Sequence, residues 1–252
     1  MKSVIICEGS TDLVLVQYYM EKVNGWTLKP DRINERKLER SGLFGFQFLH
    51  NFEIDDDELT IGETGGCSNI ISSFYKVIER NRQSSSVEDV YDNIIIICDR
   101  DEKNTIDEFD QKLDRCFTDF SIIHTGNLEN DVWLSCTTEN SRSDSISFRV
   151  LLLVIPFEET GALETFLLNA LSKKDDYDKY IISKCNEFVD TADSENRYLT
   201  KRRYKTKAKF DVYFSIRTPL EQYSIRREIL RGIPWEEYED VQYSFRKLRE
   251  LG

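Results

Sequence analysis

The chain contains 252 residues, and its 46 Asp and Glu residues outnumber its 34 Lys and Arg residues, so the formal net charge is −12 at pH 7. Hydrophobic residues make up 40% of the chain and aromatic residues 12%, which is enough for a sizeable core and excludes global disorder. The longest strongly apolar run, at residues 150–155, is far too short to span a bilayer, and residues 1–7 are typical of a strand rather than of a secretory signal. We therefore expect a soluble cytoplasmic protein without a membrane partner.

Cysteine and histidine usage limits the chemistry that this chain can perform. The six cysteines are scattered without a Cys-x-x-Cys spacing, and the only histidines are His50 and His124. A zinc site of the usual spacing is therefore excluded, and little room is left for Ser-His-Asp or Cys-His catalysis. We interpret the cysteines as reduced thiols of a cytosolic protein. Enzymatic chemistry, if present, is expected to depend on carboxylates.

In chain order, strand and helix patterns alternate over the first 125 residues. Four short apolar segments are predicted strands: residues 3–7, 59–61, 93–98 and 120–124. Three segments with apolar residues at helical spacing alternate with them: residues 13–20, 70–78 and 106–117. A further strand candidate lies at residues 43–49. This order implies a parallel sheet with right-handed crossover connections.

The rest of the chain begins with a strand and then becomes mainly helical. A strand is predicted at residues 148–155, followed by a helix with an apolar stripe over residues 163–171. Neither an internal repeat nor a long flexible linker separates the two parts. We predict an α/β domain at residues 1–175, with an open, mostly parallel sheet flanked by helices, and a helical extension at residues 176–252 that packs on it.

Carboxylates directly follow two of the predicted strands. Glu8 follows the first strand, and the next residue, Gly9, permits a tight turn before a helix N-terminus that offers free N–H groups to phosphate. Asp99 and Asp101 follow the apolar strand at residues 93–98 and, two residues apart in an extended segment, point the same way. Open parallel sheets place their sites at the carboxyl ends of the strands, so we expect these acids to lie together.

A divalent cation is the usual partner of such a cluster. Carboxylates held at close range repel each other, and Mg²⁺ prefers oxygen ligands while it keeps waters that a phosphodiester can replace. Taken singly, each motif is also typical of an ordinary turn or of helix-capping acids. Their joint position after two strands of one sheet favours a metal site.

Two motifs carry a family resemblance: residues 4–12, which read Val-Ile-Ile-Cys-Glu-Gly-x-x-Asp, and residues 93–101, in which an apolar strand ends in Asp-x-Asp. This order resembles the Toprim domain of topoisomerases, bacterial primases and overcoming-lysogenization-defect (OLD) nucleases. The resemblance covers about residues 1–125 and is greatest to single-domain Toprim-like proteins related to the OLD nucleases.

The resemblance implies a Mg²⁺ (or Mn²⁺) site that supports phosphodiester chemistry. Its metal ligands and catalytic residues would be Glu8, Asp99 and Asp101, with Glu8 as ligand or general base, and Asp12 and Glu102 would be adjacent acids at the metal.

Two later segments extend the resemblance. Residues 156–164 contain the Gly-x-Leu-Glu helix start of some OLD-related proteins, which implies Glu164 as a further metal ligand; alternatively, Glu164 is a first-turn acid that complements the helix dipole. Residues 207–210 match the Lys-containing helical segment at the end of those proteins. Gly65 and Gly66, like the turn at Gly9 after the first strand, are expected to let a phosphate approach the backbone closely. Alternatively, Gly65 and Gly66 form a simple strand-to-helix turn.

Residues 197–209 are rich in Lys and Arg and contain no acid, and two tyrosines that could stack on bases are interleaved with the cations. The cations predicted to bind nucleic acid are called the basic strip: Lys201, Arg202, Arg203, Lys205, Lys207 and Lys209. Because a net charge of −12 repels nucleic acid at long range, a local strip would have to supply the attraction. A solvated helix face is the alternative interpretation.

The sequence therefore predicts a Mg²⁺-dependent nuclease that hydrolyses phosphodiester bonds in DNA or RNA. Resemblance to OLD-related nucleases implies a role in defence against phage, commonly beside an ATPase. The chain lacks the phosphate-loop motif Gly-x-x-x-x-Gly-Lys-Ser/Thr, so that ATPase would be a separate chain. The alternatives are a primase-like nucleotidyl transferase, for which the zinc-module spacing is missing, and a non-catalytic nucleic-acid-binding or regulatory subunit of an ATPase complex.

Overall fold

A computed structural model describes residues 1–29, 43–218 and 230–252 of the chain. Eight strands form one sheet: β1 Lys2–Cys7, β2 Thr27–Leu28, β3 Phe48–Ile54, β4 Asp57–Glu63, β5 Asn93–Asp99, β6 Ile123–His124, β7 Trp133–Glu139 and β8 Ser145–Ile155. The α-helices of the described residues are α1 Ser10–Lys22, α2 Cys67–Gln83, α3 Thr105–Asp119, α4 Leu163–Lys174, α5 Asp176–Ala192, α6 Arg202–Arg217 and α7 Glu239–Ser244. Short 3-10 turns lie at Leu43–Gly45, Val87–Asp89, Trp235–Glu237 and Arg246–Glu250.

The sheet has a parallel centre with antiparallel strands on both sides. Its order is β2-β3-β4-β1-β5-β8-β7-β6. Neighbouring strands among β4, β1, β5 and β8 pair in parallel, whereas every pair outside this central group is antiparallel. The predicted α/β class, with a sheet flanked by helices and a helical C-terminal part, is confirmed. Residues 219–229 of the predicted helical part lie outside the described residues.

Both faces of the sheet are buried, which explains why its central strands are almost wholly apolar. In β5, Ile95 and Ile97 point into the core beneath α1 and α4, while Ile94 and Ile96 point into the core beneath α2 and α3. The first of these cores also includes side chains of α5 and α6 and of residues 230–251. The C-terminal helices therefore share one hydrophobic core with the sheet. None of the helices in the described ranges combines the length and the apolar character needed to cross a membrane.

Three details of the strand prediction need correction. The candidate at residues 43–49 is wrong over its first half, because Phe44 has a φ of 52° within a 3-10 turn and β3 begins only at Phe48. The strand predicted at residues 120–124 is reduced to β6, since Ser121 turns the chain with a φ of 50°. β7 was not predicted because Ser, Thr and Glu residues interrupt its apolar positions.

Candidate acidic cleft

The parallel strands bring several acids to one edge of the sheet. In the parallel register, Cys7 at the end of β1 lies beside Glu63 of β4 on one side and beside Ile97 of β5 on the other. Glu8 follows β1 directly, and Asp99 is the last residue of β5. The chain thus places Glu8, Glu63 and Asp99 at the carboxyl ends of three adjacent strands, as the strand-end rule predicts for the first and last of them.

These acids line a cleft of about 620 Å³, here called the acidic cleft. Five carboxylates contribute to its lining: Glu8, Glu63, Asp99, Asp101 and Glu164. The predicted phosphate-approach glycines Gly9, Gly65 and Gly66 also line it. Three cations of α6 complete the lining: Arg202, Arg203 and Lys207, here called the cation wall. Acids and bases far apart in sequence therefore share one cleft.

Backbone donors hold Glu8 and Asp99 in place. Glu8 Oε2 accepts a hydrogen bond from the Asp99 backbone N–H at 3.3 Å. Asp99 Oδ1 accepts one from the backbone N–H of Leu163 at 2.8 Å. Because Leu163 is the first residue of α4, and Ala162 before it provides no side-chain cap, Asp99 caps that helix from a different part of the chain. Asp99 therefore contributes to the fold as well as to the cleft.

Asp12 and Glu164 are buried acids that connect two helix starts near the cleft. Asp12 is 6% exposed, lies behind the cleft lining, and accepts a hydrogen bond from the Gly9 backbone N–H at 2.8 Å. Glu164 is 4% exposed and accepts a hydrogen bond from the Thr11 hydroxyl at 3.2 Å. Through these contacts the start of α1 is joined to the start of α4.

The electrostatics of the cluster are unfavourable for so many negative charges. Burial raises the pKa of Asp99 well above its usual range, and the neighbouring Asp12 and Glu8 raise it further. Burial likewise raises the pKa of Asp12 well above its usual range, against the opposing hydrogen bond from Gly9. The pKa of Glu8 is raised by burial, although the Asp99 N–H partly offsets this. A positive charge bound in the cleft would relieve this repulsion.

The structure leaves the predicted metal ligands only partly assembled. Among the residues that the structure describes, no group of three His, Cys, Asp or Glu side chains is arranged so that it could hold a metal ion. Glu102, predicted as an adjacent acid, is exposed and lies outside the cleft lining, where its backbone N–H donates to the Thr105 hydroxyl at 3.0 Å. Cys67 does line the cleft, but burial raises the pKa of its thiol to about 11, so it is protonated at neutral pH.

The two glycine turns differ in their backbone requirements. Gly65 has a φ of +75°, and a Cβ there would lie 2.0 Å from the Gln47 Nε2 atom. Gly66 has a φ of +142°, which also favours glycine. Gly9, in contrast, is extended with a φ of −144°, and the nearest atom to a Cβ there would be Asp12 Oδ2 at 3.9 Å. Gly65 therefore requires the conformational freedom of glycine, whereas the turn at Gly9 does not.

The basic strip divides between two faces of α6. Arg202, Arg203 and Lys207 line the acidic cleft, and the Arg202 guanidinium donates to the Asp101 carbonyl oxygen at 3.2 Å. The remaining members, Lys201, Lys205 and Lys209, instead line a neighbouring cavity together with Arg202. This division follows from helical spacing, since residues four apart lie on the same face.

Comparison with known proteins assigns the chain to a family. The family model described as "Protein of unknown function (DUF3226)" matches residues 2–230. The chain belongs to this family. Comparison with curated proteins gave no match.

Solved structures add support for the fold alone. The crystal structure of hypothetical protein PH0156 from Pyrococcus horikoshii OT3 is 17% identical, with a TM-score of 0.50, and the match covers 98% of this chain and 99% of that one. A crystal structure of lactoylglutathione lyase from Agrobacterium tumefaciens is 12% identical over 60% of this chain and 91% of that one. Its TM-score of 0.17 is too low to indicate a shared fold. The likeness to PH0156 supports the α/β architecture of this DUF3226 protein.

One acid of this DUF3226 protein was missed in the sequence. Glu63 is 4% exposed and lines the cleft, and among the described residues its Oε2 atom has no hydrogen-bond partner. Burial raises the pKa of Glu63. Glu8 and Asp99 were predicted because acids at the carboxyl ends of parallel strands meet at one edge of the sheet. Glu63 meets the same criterion, since it is the last residue of β4 and lies just before the glycine turn. Glu63 was not recognised because the predicted strand ended at residue 61, two residues before the end of β4.

Proposed function

We propose that this DUF3226 protein is a metal-dependent nuclease that hydrolyses phosphodiester bonds of DNA or RNA in the acidic cleft. The observation that carries the proposal is the juxtaposition of five carboxylates with the cation wall in one cleft of about 620 Å³. Carboxylates alone would repel a phosphodiester, and cations alone would bind it without providing ligands for a metal. A cleft that contains both carboxylates and cations is suited to bind a phosphate together with a divalent cation.

The residues of the cleft fit Mg²⁺ or Mn²⁺ by their chemistry. The available donors are carboxylate oxygens, which these hard cations prefer, whereas the one thiol in the lining is protonated at neutral pH. The pKa values of Glu8 and Asp99 are raised, and within the described residues Glu63 Oε2 has no hydrogen-bond partner. These features are expected of carboxylates whose charges are not balanced by an ion pair. Glu8, Asp99 and Asp101 would hold the ion, with Glu164 as a further candidate, after the carboxylates move closer together than they are here.

When bound, the ion would supply a nucleophilic water at neutral pH and neutralise charge on the scissile phosphate. Glu8 is suited to accept the proton of the attacking water, because its carboxylate follows β1 directly and lines the cleft. The cation wall would bind the non-bridging phosphate oxygens and stabilise the charge that develops on them. The N-terminus of α2, reached through Gly65 and Gly66, adds backbone N–H groups that favour an anion.

The wider setting of the proposal rests on the Toprim resemblance of residues 4–12 and 93–101. A cytoplasmic role in defence against phage, with a separate ATPase chain as partner, follows from it. Co-purification of the tagged protein from its native host tests the partner, and recovery without any ATPase would contradict that part.

The activity is tested by incubating plasmid DNA, single-stranded DNA and RNA with the protein and either Mg²⁺, Mn²⁺ or EDTA. We expect metal-dependent cleavage that falls at least about 100-fold in Glu8→Gln and Asp101→Asn, as loss of a general base or ligand does. Glu108→Gln, on the exposed side of α3, removes a charge of the same sign and serves as the control. Lack of cleavage under every condition would refute the proposal in favour of a non-catalytic subunit, and incorporation of labelled nucleotides would favour a primase-like transferase.

A further inference from the structure

A second cavity, of about 510 Å³, lies against the other face of the first turns of α6. It is called the basic pocket here, and it is lined by four cations and several hydroxyl-bearing side chains. Its lining includes Lys201, Arg202, Lys205, Lys209, Thr165 and Thr206. The described residues that line it include no Asp or Glu. In a protein with a net charge of −12, this concentration of positive charge needs an explanation.

The lysines of the basic pocket are placed so that they repel one another. Lys201, Lys205 and Lys209 follow each other at intervals of four residues, which puts them on one side of the helix, and like charges at this spacing destabilise a helix. Of the pocket's cations, Lys209 alone forms an ion pair with a described carboxylate, to Asp190 at 2.8 Å. Lys205 interacts with Asp193 through its charge but forms no ion pair with it, and Arg202 also faces the acids of the cleft. Because no Asp or Glu of the described residues lines the pocket itself, an anion there would balance the lysine charges.

The start of α6 favours an anion at the same place. Lys201 is the residue before the first helical residue, its side chain provides no cap, and the first turn contains no acid. The positive end of the helix dipole and the free N–H groups of the first turn therefore add to the lysine charges. Ammonium groups and threonine hydroxyls are donors that suit phosphate oxygens. The chemistry of the basic pocket thus points to a phosphate group.

The basic pocket and the acidic cleft are adjacent. Arg202 and Thr206 line both, so a strand that passes from one to the other crosses α6 at its first turns. An α-helix with its side chains is about 10–12 Å across, which at 3.4 Å per nucleotide of a stacked strand corresponds to about three nucleotides. One strand can therefore reach both places if it crosses the first turn of α6.

We propose that the basic pocket binds a backbone phosphate of the strand whose reacting phosphate lies in the acidic cleft, about three nucleotides away along a stacked strand. This inference rests on the proposed function, because it takes the occupant of the cleft to be nucleic acid. It defines the substrate class as strands of at least about four nucleotides, and it assigns Lys201 and Lys205 to holding the strand rather than to the chemistry.

Binding is measured by fluorescence anisotropy with labelled single-stranded oligonucleotides of two and of eight nucleotides, as DNA and as RNA, with Ca²⁺ in place of Mg²⁺ so that the cleft holds a cation while cleavage is suppressed. The test variant is Lys201→Gln/Lys205→Gln. Lys179→Gln/Lys184→Gln, two exposed lysines of α5 outside both cavities, is the control with the same change in charge. We expect the test variant to weaken binding of the eight-nucleotide strand, and to lower its salt slope by about 0.7 per lost phosphate contact, while the two-nucleotide strand is unaffected.

The outcomes separate this inference from the nuclease proposal. If wild-type protein fails to bind the eight-nucleotide strand, or if the test and control variants weaken it equally, the inference is refuted. Equal weakening of the two- and eight-nucleotide strands also refutes it, because a two-nucleotide strand cannot reach both places. Pocket-dependent binding without cleavage of any substrate would refute the nuclease proposal and leave this inference standing.

Discussion

Asp99 offers the most informative substitution, because it has one role in the fold and another in the cleft. Its Oδ1 atom accepts the hydrogen bond that caps α4, while its charge is opposed by burial and by Asp12 and Glu8. Asp99→Asn keeps the acceptor oxygen and removes the charge. Asp99→Ala removes both. The difference in unfolding free energy between the two variants therefore measures the contribution of the helix cap. The difference between Asp99→Asn and wild type measures the contribution of the charge.

General magnitudes for charge repulsion and for helix capping set the expected sizes of the two effects. A like charge roughly 5 Å away at an effective dielectric constant of 20 costs about 3 kcal/mol, and salt and solvent reduce this, so we expect Asp99→Asn to raise the free energy of unfolding by about 1–3 kcal/mol at pH 7 without metal. Loss of a helix cap costs about 0.5–2 kcal/mol, so Asp99→Ala should be less stable than Asp99→Asn by about that amount. For a chain of this length, 1 kcal/mol corresponds to a change in Tm of about 2–4 °C.

The assay is urea unfolding followed by circular dichroism, in EDTA and again with Mg²⁺ in excess. Metal that binds only the folded state stabilises wild type by about 2.7 kcal/mol at 100 times its Kd, and Asp99→Asn should lose much of that gain. The advantage of Asp99→Asn over wild type should thus shrink by up to about 2.7 kcal/mol when Mg²⁺ is added. An Asp99→Asn variant that is less stable than wild type in EDTA would show that the carboxylate charge is satisfied by the fold, and the reasoning about repulsion would fail.

Two further predictions concern pH and the glycine turns. Because the folded-state pKa of Asp99 is raised, wild type loses stability as the pH rises from the unfolded-state value near 4 toward that higher pKa, whereas Asn at this position does not titrate. The advantage of Asp99→Asn over wild type in EDTA should therefore grow as the pH rises from about 4 to 8, and an advantage that is constant or shrinks with pH would contradict this. Gly65→Ala should lower the free energy of unfolding by about 1–2 kcal/mol because of its positive φ, whereas Gly9→Ala should change it little, and equal effects in urea unfolding would contradict the assignment of Gly65 as the constrained turn.

The main features of the fold and half of the cleft are predictable from local sequence. β1 and β5 are almost wholly apolar and end in acids, so both their burial and the meeting of Glu8 with Asp99 follow from strand patterns alone. β7 escaped prediction because its stability comes from pairing with β8 rather than from its own composition. The turn at Phe44 escaped because a positive φ in a non-glycine residue depends on its packing against the sheet and α2.

Long-range contacts decide the remainder of the site. Glu164 reaches the cleft because Thr11 and Asp99 bind the start of α4, and neither contact is visible in the sequence around Glu164. Which cations of the basic strip face the acids depends on where α6 begins and on how it docks on α5. The sequence predicted the composition of the strip but could not divide it between two cavities.

The packing of α6 against α4 and α5 has a consequence for genetic screens of this protein. Its outer positions line the two cavities, whereas Phe210, Tyr213 and Phe214 are buried in the core shared with the sheet. Loss-of-function alleles in this one helix should therefore fall into two groups that mapping alone cannot separate. Alleles at the cations should leave cellular abundance normal, while alleles at the aromatic positions should lower it through unfolding and degradation, and they should be rescued by growth at lower temperature.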